Sequence, residues 1–237
     1  MLVVLHAKVL MTLWVTLNAL LVVLAYLLGS IPPGYWAGKL LKGIDIRAQG
    51  SGSTGATNVL RTLGKGPALV VLLVDVLKGA IAIALVDGFY ALDWARSIVP
   101  TGVDFAAWQP WLVTLAGAAA LLGHSKSILL NFTGGKSVAT SLGVLLTLDW
   151  RVGLGTLAVF LLMLALFRIV SLSSIAGAIA VSGLMLATQQ PLPYLLFSIA
   201  GGLYVILRHR GNIQRLLTGT EPRLGQSIPE SSTLQQS

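Results

Sequence analysis

The chain has 237 residues, 55% of them hydrophobic and only 10% charged, with a mean hydropathy of +0.85. Soluble domains carry roughly a quarter charged residues, so a water-soluble globule is excluded and an integral membrane protein indicated. No cysteine is present, which rules out disulfides, thiolate nucleophiles and cysteine-ligated metals, and the net charge of +8 informs mainly through its distribution.

The first apolar run, residues 10–28, follows Lys8; it is too long for a secretory signal and has no small-x-small cleavage site after it. It reads as the first span, with residues 1–10 ahead of it expected to be flexible. Further apolar runs cover residues 67–86, 111–122, 137–148, 153–167, 172–187 and 192–207. The runs 111–122 and 137–148 fall short of the roughly 20 residues a straight spanning helix needs. They are expected either to be half-helices packed within the bundle or to merge with the polar segments between them, since irregular backbone survives at membrane depth only when shielded. The expected architecture is all-α: a polytopic integral membrane helical bundle of about seven spans, one domain over residues 1–237, with 218–237 a flexible tail.

Charges on the connections orient this bundle. The first loop holds Lys39, Lys42, Arg47, Arg61 and Lys65 against Asp45, and the next holds Asp87, Asp93 and Asp104 against Arg96. Basic and non-basic connections then alternate down to Arg208, Arg210, Arg215 and Arg223 in the tail. Positive-inside logic places the odd loops and the C-terminus in the cytoplasm and the N-terminus outside. Every polar motif then falls on the cytoplasmic face.

The first of these motifs is Gly50 to Asn58, GSGSTGATN. Glycines let successive N–H groups turn toward one point, and hydroxyls add donors, so the run can wrap an anion with Arg61 as a clamp. It formally satisfies G-x-G-x-x-G, but the acid at the right distance, Asp75, lies inside an apolar span, and no room remains for a dinucleotide-binding domain. Asp75 is instead expected to pair with Lys78 one helical turn on. Gly134-Gly135-Lys136-Ser137 resembles the end of a Walker A loop and fails as one, because Leu130 stands where a glycine is required. What survives is an ammonium and two glycines before a helix start, a small anion pocket. Ser171 either caps the following helix or donates to phosphate. Five positions after His6, His124 and His209 stand Met11, Leu129 and Gln214, so no H-x-x-x-x-D acyltransferase motif exists. With no close His/Glu cluster, neither a metal site nor a cofactor is expected.

Taken together, these residues resemble those of the bacterial acyl-phosphate-dependent glycerol-3-phosphate acyltransferases, the PlsY family, across nearly the whole chain. The likeness rests on Gly29-Ser30-Ile31-Pro32 with Asp45-Ile46-Arg47, on GSGSTGATN through Arg61 and Gly64, and on Gly123-His124 with Gly134-Gly135-Lys136 and Ala139-Thr140. It continues in Arg168 with Val170-Ser171-Leu172, and in Arg208-His209-Arg210 with Asn212-Ile213 and Arg215-Leu216-Leu217. Ser53 and Ser137 stand where the family usually has asparagine and glycine, a pattern similar to its cyanobacterial branch. The resemblance implies acyl transfer from acyl phosphate to the 1-hydroxyl of glycerol 3-phosphate, giving lysophosphatidic acid and phosphate. It implies catalytic roles for Ser51, Arg61, Lys136, Ser171, His209 and Asn212, and phosphate binding at Gly50, Gly52, Gly55, Thr57, Asn58, Gly134 and Gly135. It further implies membrane lipids and the soluble enzyme that makes acyl phosphate from acyl carrier protein as partners, no nucleic acid, and a bacterial inner-membrane location with the site facing the cytoplasm. A small organic-anion or phosphate-ester transporter is the alternative. Such proteins commonly carry repeated halves and midplane polar sites, whereas here no internal repeat is found and most polar motifs sit at one membrane face.

Overall fold

The computed structural model describes residues 2–226. Among them every regular element is helical, in the order α1 (Leu2–Ser30), α2 (Pro33–Lys42), α3 (Ala56–Leu63), α4 (Lys65–Tyr90), α5 (Asp93–Ser97), α6 (Phe105–Ser125), α7 (Val138–Leu148), α8 (Trp150–Phe167), α9 (Val170–Ala187), α10 (Leu192–Arg208) and α11 (Arg210–Leu217). Every apolar run becomes a helix: α1, α4, α6, α7, α8, α9 and α10. Segments containing α1, α4, α6, α8 and α9 are long and apolar enough to cross a membrane, and α10 joins them if it is counted with α11, from which it bends by 62°.

The two short runs resolve differently. Residues 111–122 are the apolar centre of α6, which begins at Phe105 and has 21 residues. Asp104 caps it by accepting the Ala107 N–H at 3.2 Å, and Gln109 and Pro110 in its opening turns interrupt the hydropathy. The run 137–148 does stay short. At 11 residues, α7 rises only about 16 Å, roughly half of a bilayer core. Its start is sealed inside the bundle, where the buried Ser137 hydroxyl donates to the Leu121 carbonyl of α6 at 2.8 Å.

Helices α4 and α7 cross where both lack side chains. A Cβ on Gly79 would run into the Thr140 carbonyl oxygen, and one on Gly143 into that of Val76. Small residues at such crossings let backbones close up, which matters in lipid because no hydrophobic gain drives helices together there. Helix α1 packs on α6, α8 on α9, and α9 on α10. Ala25, Ile83, Val86, Ala116, Val144 and Met185 fill the centre, whereas Leu77, Leu161, Leu162, Leu203 and Leu207 face outward, as expected of a lipid-facing belt. Pro32 and Pro33 interrupt the helical backbone after α1, and α2 carries the chain on to the first polar loop.

Candidate active site

The first loop is self-braced. Asn58, fully buried at the start of α3, accepts the Ser51 N–H at 3.0 Å and donates to the carbonyls of Ile46, Gln49 and Ser53 at 3.0, 3.0 and 2.8 Å. Its amide is spent on the loop. Gly50 and Gly52, at φ 56 and 66, make the left-handed turns that wrap the loop around it. Arg47 forks onto Asp45 at 2.7 Å and reaches the Thr133 hydroxyl at 2.8 Å, so it ties the first loop to the second rather than pointing at a ligand. What the loop leaves uncommitted is the Ser51 hydroxyl, the Thr57 hydroxyl, the first N–H groups of α3 beyond its cap Gly55, and Arg61. Among the described residues Arg61 has no hydrogen-bonding partner, though it is half buried.

The second loop is laid over a histidine. His124 ends α6 with Nδ1 3.2 Å from Asp75 Oδ1, and Lys78 Nζ stands 2.8 Å from the same oxygen. Lys78 also donates to the Ile31 carbonyl at 2.8 Å, so three buried polar side chains join α1, α4 and α6. The Asp75–Lys78 pairing expected from spacing is present; His124 enters it only through the fold. A Cβ on Gly135 would penetrate the His124 imidazole, and one on Gly134 the His124 carbonyl oxygen. The Gly135 N–H is itself donated to that carbonyl at 3.2 Å. The lack of side chains at Gly134 and Gly135 lets the loop settle on His124 and so aims Lys136. Ser137 follows in a left-handed conformation, φ 63, where the resemblance puts glycine; its hydroxyl bond to Leu121 offsets a strain of about 1 kcal/mol.

The third and fourth elements meet on a carboxylate. Ser171 does not cap α9, whose cap position is Ile169; it is buried, and its hydroxyl donates to Glu221 Oε1 at 2.7 Å. Asn212 donates from Nδ2 to the same oxygen at 2.6 Å and accepts Lys136 Nζ on Oδ1 at 2.5 Å. Arg215 Nε contacts Glu221 Oε2 at 2.7 Å. His209, at the bend between α10 and α11, has Nδ1 2.8 Å from the Val205 carbonyl. A carbonyl only accepts, so Nδ1 carries the proton and Nε2 is an acceptor. Arg208 donates to the Gly135 carbonyl at 3.0 Å. Glu221 falls in the stretch expected to be a flexible tail, yet it is only 9% exposed; residues 227–237 of that stretch lie outside the described residues. One signal was available in the sequence: Glu221 is one of only two glutamates in the chain and lies between Arg215 and Arg223.

Ser51, Arg61, Lys136, Ser171, His209 and Asn212 all line one cavity of about 490 Å³, together with Gly55, Thr57, Asn58 and Glu221. Gly50, Gly52, Gly134 and Gly135 do not. From this polar mouth the cavity runs into the bundle between Leu72, Val76, Leu142, Leu157, Phe160 and Val181. The site therefore has a cationic end and an apolar arm. Burial brings the Lys136 ammonium down to about 8; Arg215, Arg208 and Arg61 push it the same way, and Glu221 opposes them. The ammonium is thus charged below about pH 8 and neutral above it. If its charge serves catalysis, kcat/KM falls as pH rises through about 8, and a rate profile flat to pH 10 would remove that role.

Comparisons with known proteins agree over most of the chain. Residues 19–219 match the model of the family described as glycerol-3-phosphate acyltransferase. The chain is similar to the glycerol-3-phosphate acyltransferase of Trichormus variabilis, 66% identical over 92% of this chain and 96% of that one. It is similar to that of Nostoc sp., 66% identical over 91% of this chain and 95% of the relative. Among solved structures it resembles the glycerol 3-phosphate form of PlsY, an integral membrane glycerol 3-phosphate acyltransferase, with TM-score 0.76, 40% identity, and coverage of 88% of this chain and 96% of that one. The lysophosphatidic acid form matches with TM-score 0.73 and 39% identity, over 87% of this chain and 94% of the other.

Proposed function

The chain belongs to the glycerol-3-phosphate acyltransferase family, and from that premise we propose that it moves a fatty acyl group from acyl phosphate to the 1-hydroxyl of glycerol 3-phosphate. It is an integral membrane acyltransferase of phospholipid synthesis. The observation that carries the donor and acceptor assignment is the cavity itself. Arg61 and Lys136 line its polar end with Glu221, Arg208 and Arg215 add positive charge near Lys136 from behind the lining, and an apolar arm leads away from them. Two phosphate-bearing substrates suit the cationic end, and an acyl chain suits the arm. The transporter alternative falls away with family membership.

In the proposed reaction the glycerol hydroxyl oxygen bonds to the acyl carbonyl carbon, and the bond from that carbon to the phosphate oxygen breaks. The hydroxyl proton passes to a phosphate oxygen. Products are lysophosphatidic acid and inorganic phosphate. A mixed anhydride is already activated, so the protein's task is to hold and neutralise. Arg61, the Ser51 hydroxyl and the first N–H groups of α3 hold one phosphate. Lys136 neutralises charge developing on the carbonyl and the departing phosphate. Acyl phosphate is expected to be used in strong preference to acyl-CoA, because a compact dianion fits a cluster of short-range cations better than a nucleotide thioester does. Product formation from each donor at equal concentration tests this, and equal rates would overturn it.

The proposed topology has the N-terminus outside, the C-terminus and the active site in the cytoplasm, and the bacterial inner membrane as host. The basic residues of the first loop and the tail support that orientation, and it gives the soluble enzyme that makes acyl phosphate from acyl carrier protein access to the cavity mouth. Reporter fusions at Ser97 and at the C-terminus are expected on opposite sides of the membrane. Both in one compartment would refute the orientation.

A further inference from the structure

Two of the residues implied as catalytic direct hydrogen bonds to a carboxylate of the same chain. Ser171 has one O–H, and it points at Glu221 Oε1, 2.7 Å away. Asn212 directs Nδ2 to the same oxygen at 2.6 Å. An amide so held has its carbonyl fixed on the other side, and there Oδ1 meets Lys136 Nζ at 2.5 Å. The carboxylate is anchored in turn, since Arg215 Nε takes Oε2 at 2.7 Å. Its delivery is also built in: Gly219, at φ 70, turns the chain after α11, and beyond Glu221 the Leu224 N–H bonds to the Arg168 carbonyl at 2.6 Å. Both sides of Glu221 are therefore tied down, one to α11 and one to the α8–α9 junction.

We propose that Glu221 is a positioning residue of the active site, which turns Ser171 and Asn212 into a scaffold and through Asn212 sets the place and charge of Lys136. The site then divides in two. Ser51, Arg61, the start of α3 and the remaining ammonium hydrogens of Lys136 meet substrate. Ser171, Asn212, Arg215 and Glu221 hold Lys136 where it must be. Charge supports the same division. Lys136 is faced by Arg61 from α3, Arg208 from α10 and Arg215 from α11, with neutral His209 close by, and Glu221 is the acid among them. Burial alone would push the Glu221 carboxyl up, but the bonds from Ser171, Asn212 and Arg215 outweigh it and keep the group ionised. An ionised Glu221 in turn favours the charged form of Lys136 against three like charges and desolvation.

This inference rests on the acyltransferase reading, and its test separates the two. The protein is purified as the wild type, Glu221→Gln and Glu221→Asp. Lysophosphatidic acid formation is followed across pH, and the pH dependence of Lys136 acylation by acetic anhydride is read by mass spectrometry without substrates. Gln keeps the shape but loses the charge, so kcat is expected to fall about 10- to 100-fold with little change in the KM for glycerol 3-phosphate. The alkaline limb and the Lys136 labelling midpoint both move below the wild-type position near 8, and Asp restores part of each. An unmoved labelling midpoint in Glu221→Gln overturns the proposal whatever the kinetics. So does a lowered KM together with tighter inhibition by inorganic phosphate, because Glu221 would then be a plug that competes with substrate. A wild type with no turnover, but with a labelling midpoint that still moves in Glu221→Gln, would sink the acyltransferase reading and leave Glu221 as the group that sets Lys136.

Discussion

Lys136→Ala is expected to lose about 30- to 1000-fold in turnover, equivalent to roughly 2–4 kcal/mol of transition-state stabilisation. The ammonium is the cation the second loop presents to the cavity: it is held on one side by Asn212 at 2.5 Å and lines the cavity on the other. No other group can take its place. Arg208 is committed to the Gly135 carbonyl and Arg215 to Glu221, and Arg61 comes from the first loop with a ligand of its own to hold. Arg61→Ala is expected to fall in the same range, because its guanidinium is half buried and has its charge free for a ligand. Ser51→Ala removes a neutral donor and sits at the lower end. Purified variants compared for lysophosphatidic acid formation, with membrane insertion checked by fractionation, give the answer. Near-normal turnover in Lys136→Ala would take the second loop out of the chemistry.

Gly135→Ala is expected to be as damaging by a different route. The added methyl lands on the His124 imidazole, and that ring has little room to yield. It is buried, with Nδ1 3.2 Å from Asp75, which also faces Lys78 at 2.8 Å. Overpacking of this kind costs about 1–3 kcal/mol of stability. Moving the neighbouring Lys136 by about 1 Å costs about a further hundredfold in rate. The thermal midpoint in detergent and kcat should therefore both drop. The double variant Gly135→Ala with His124→Ala makes room for the methyl and should recover part of the kcat lost by Gly135→Ala alone. A single variant with wild-type midpoint and kcat would show that the loop does not rest on His124.

Much of the architecture was legible in the chain because lipid imposes a one-dimensional rule. Each apolar run must satisfy its own backbone, so hydropathy alone finds α1, α4, α8, α9 and α10 and the centre of α6. The half-length α7 was foreseen as one of two options, and only packing against α4 and α6 selects it. The anion-binding character of the first loop was equally legible, since Ser51 and Arg61 sit in a local pattern of glycines and hydroxyls.

Which members of each motif the fold itself ties up was decided in three dimensions. Asn58 looks like a donor in sequence and is a brace in space, because four backbone groups of its own loop claim its amide. Gly134 and Gly135 look like a phosphate cradle in sequence, and in space they also give clearance for His124, from a helix that closes only in the bundle. Glu221 lies 50 residues from Ser171, beyond any local period, so no spacing rule could bring it there. The sequence by itself determined a helical membrane enzyme with a cationic, glycine-rich face, since hydropathy and charge act locally along the chain. Tertiary structure alone decided which of those groups the fold binds to itself and which it leaves open to the cavity, since a hydrogen bond is spent on whatever the fold brings within 3 Å.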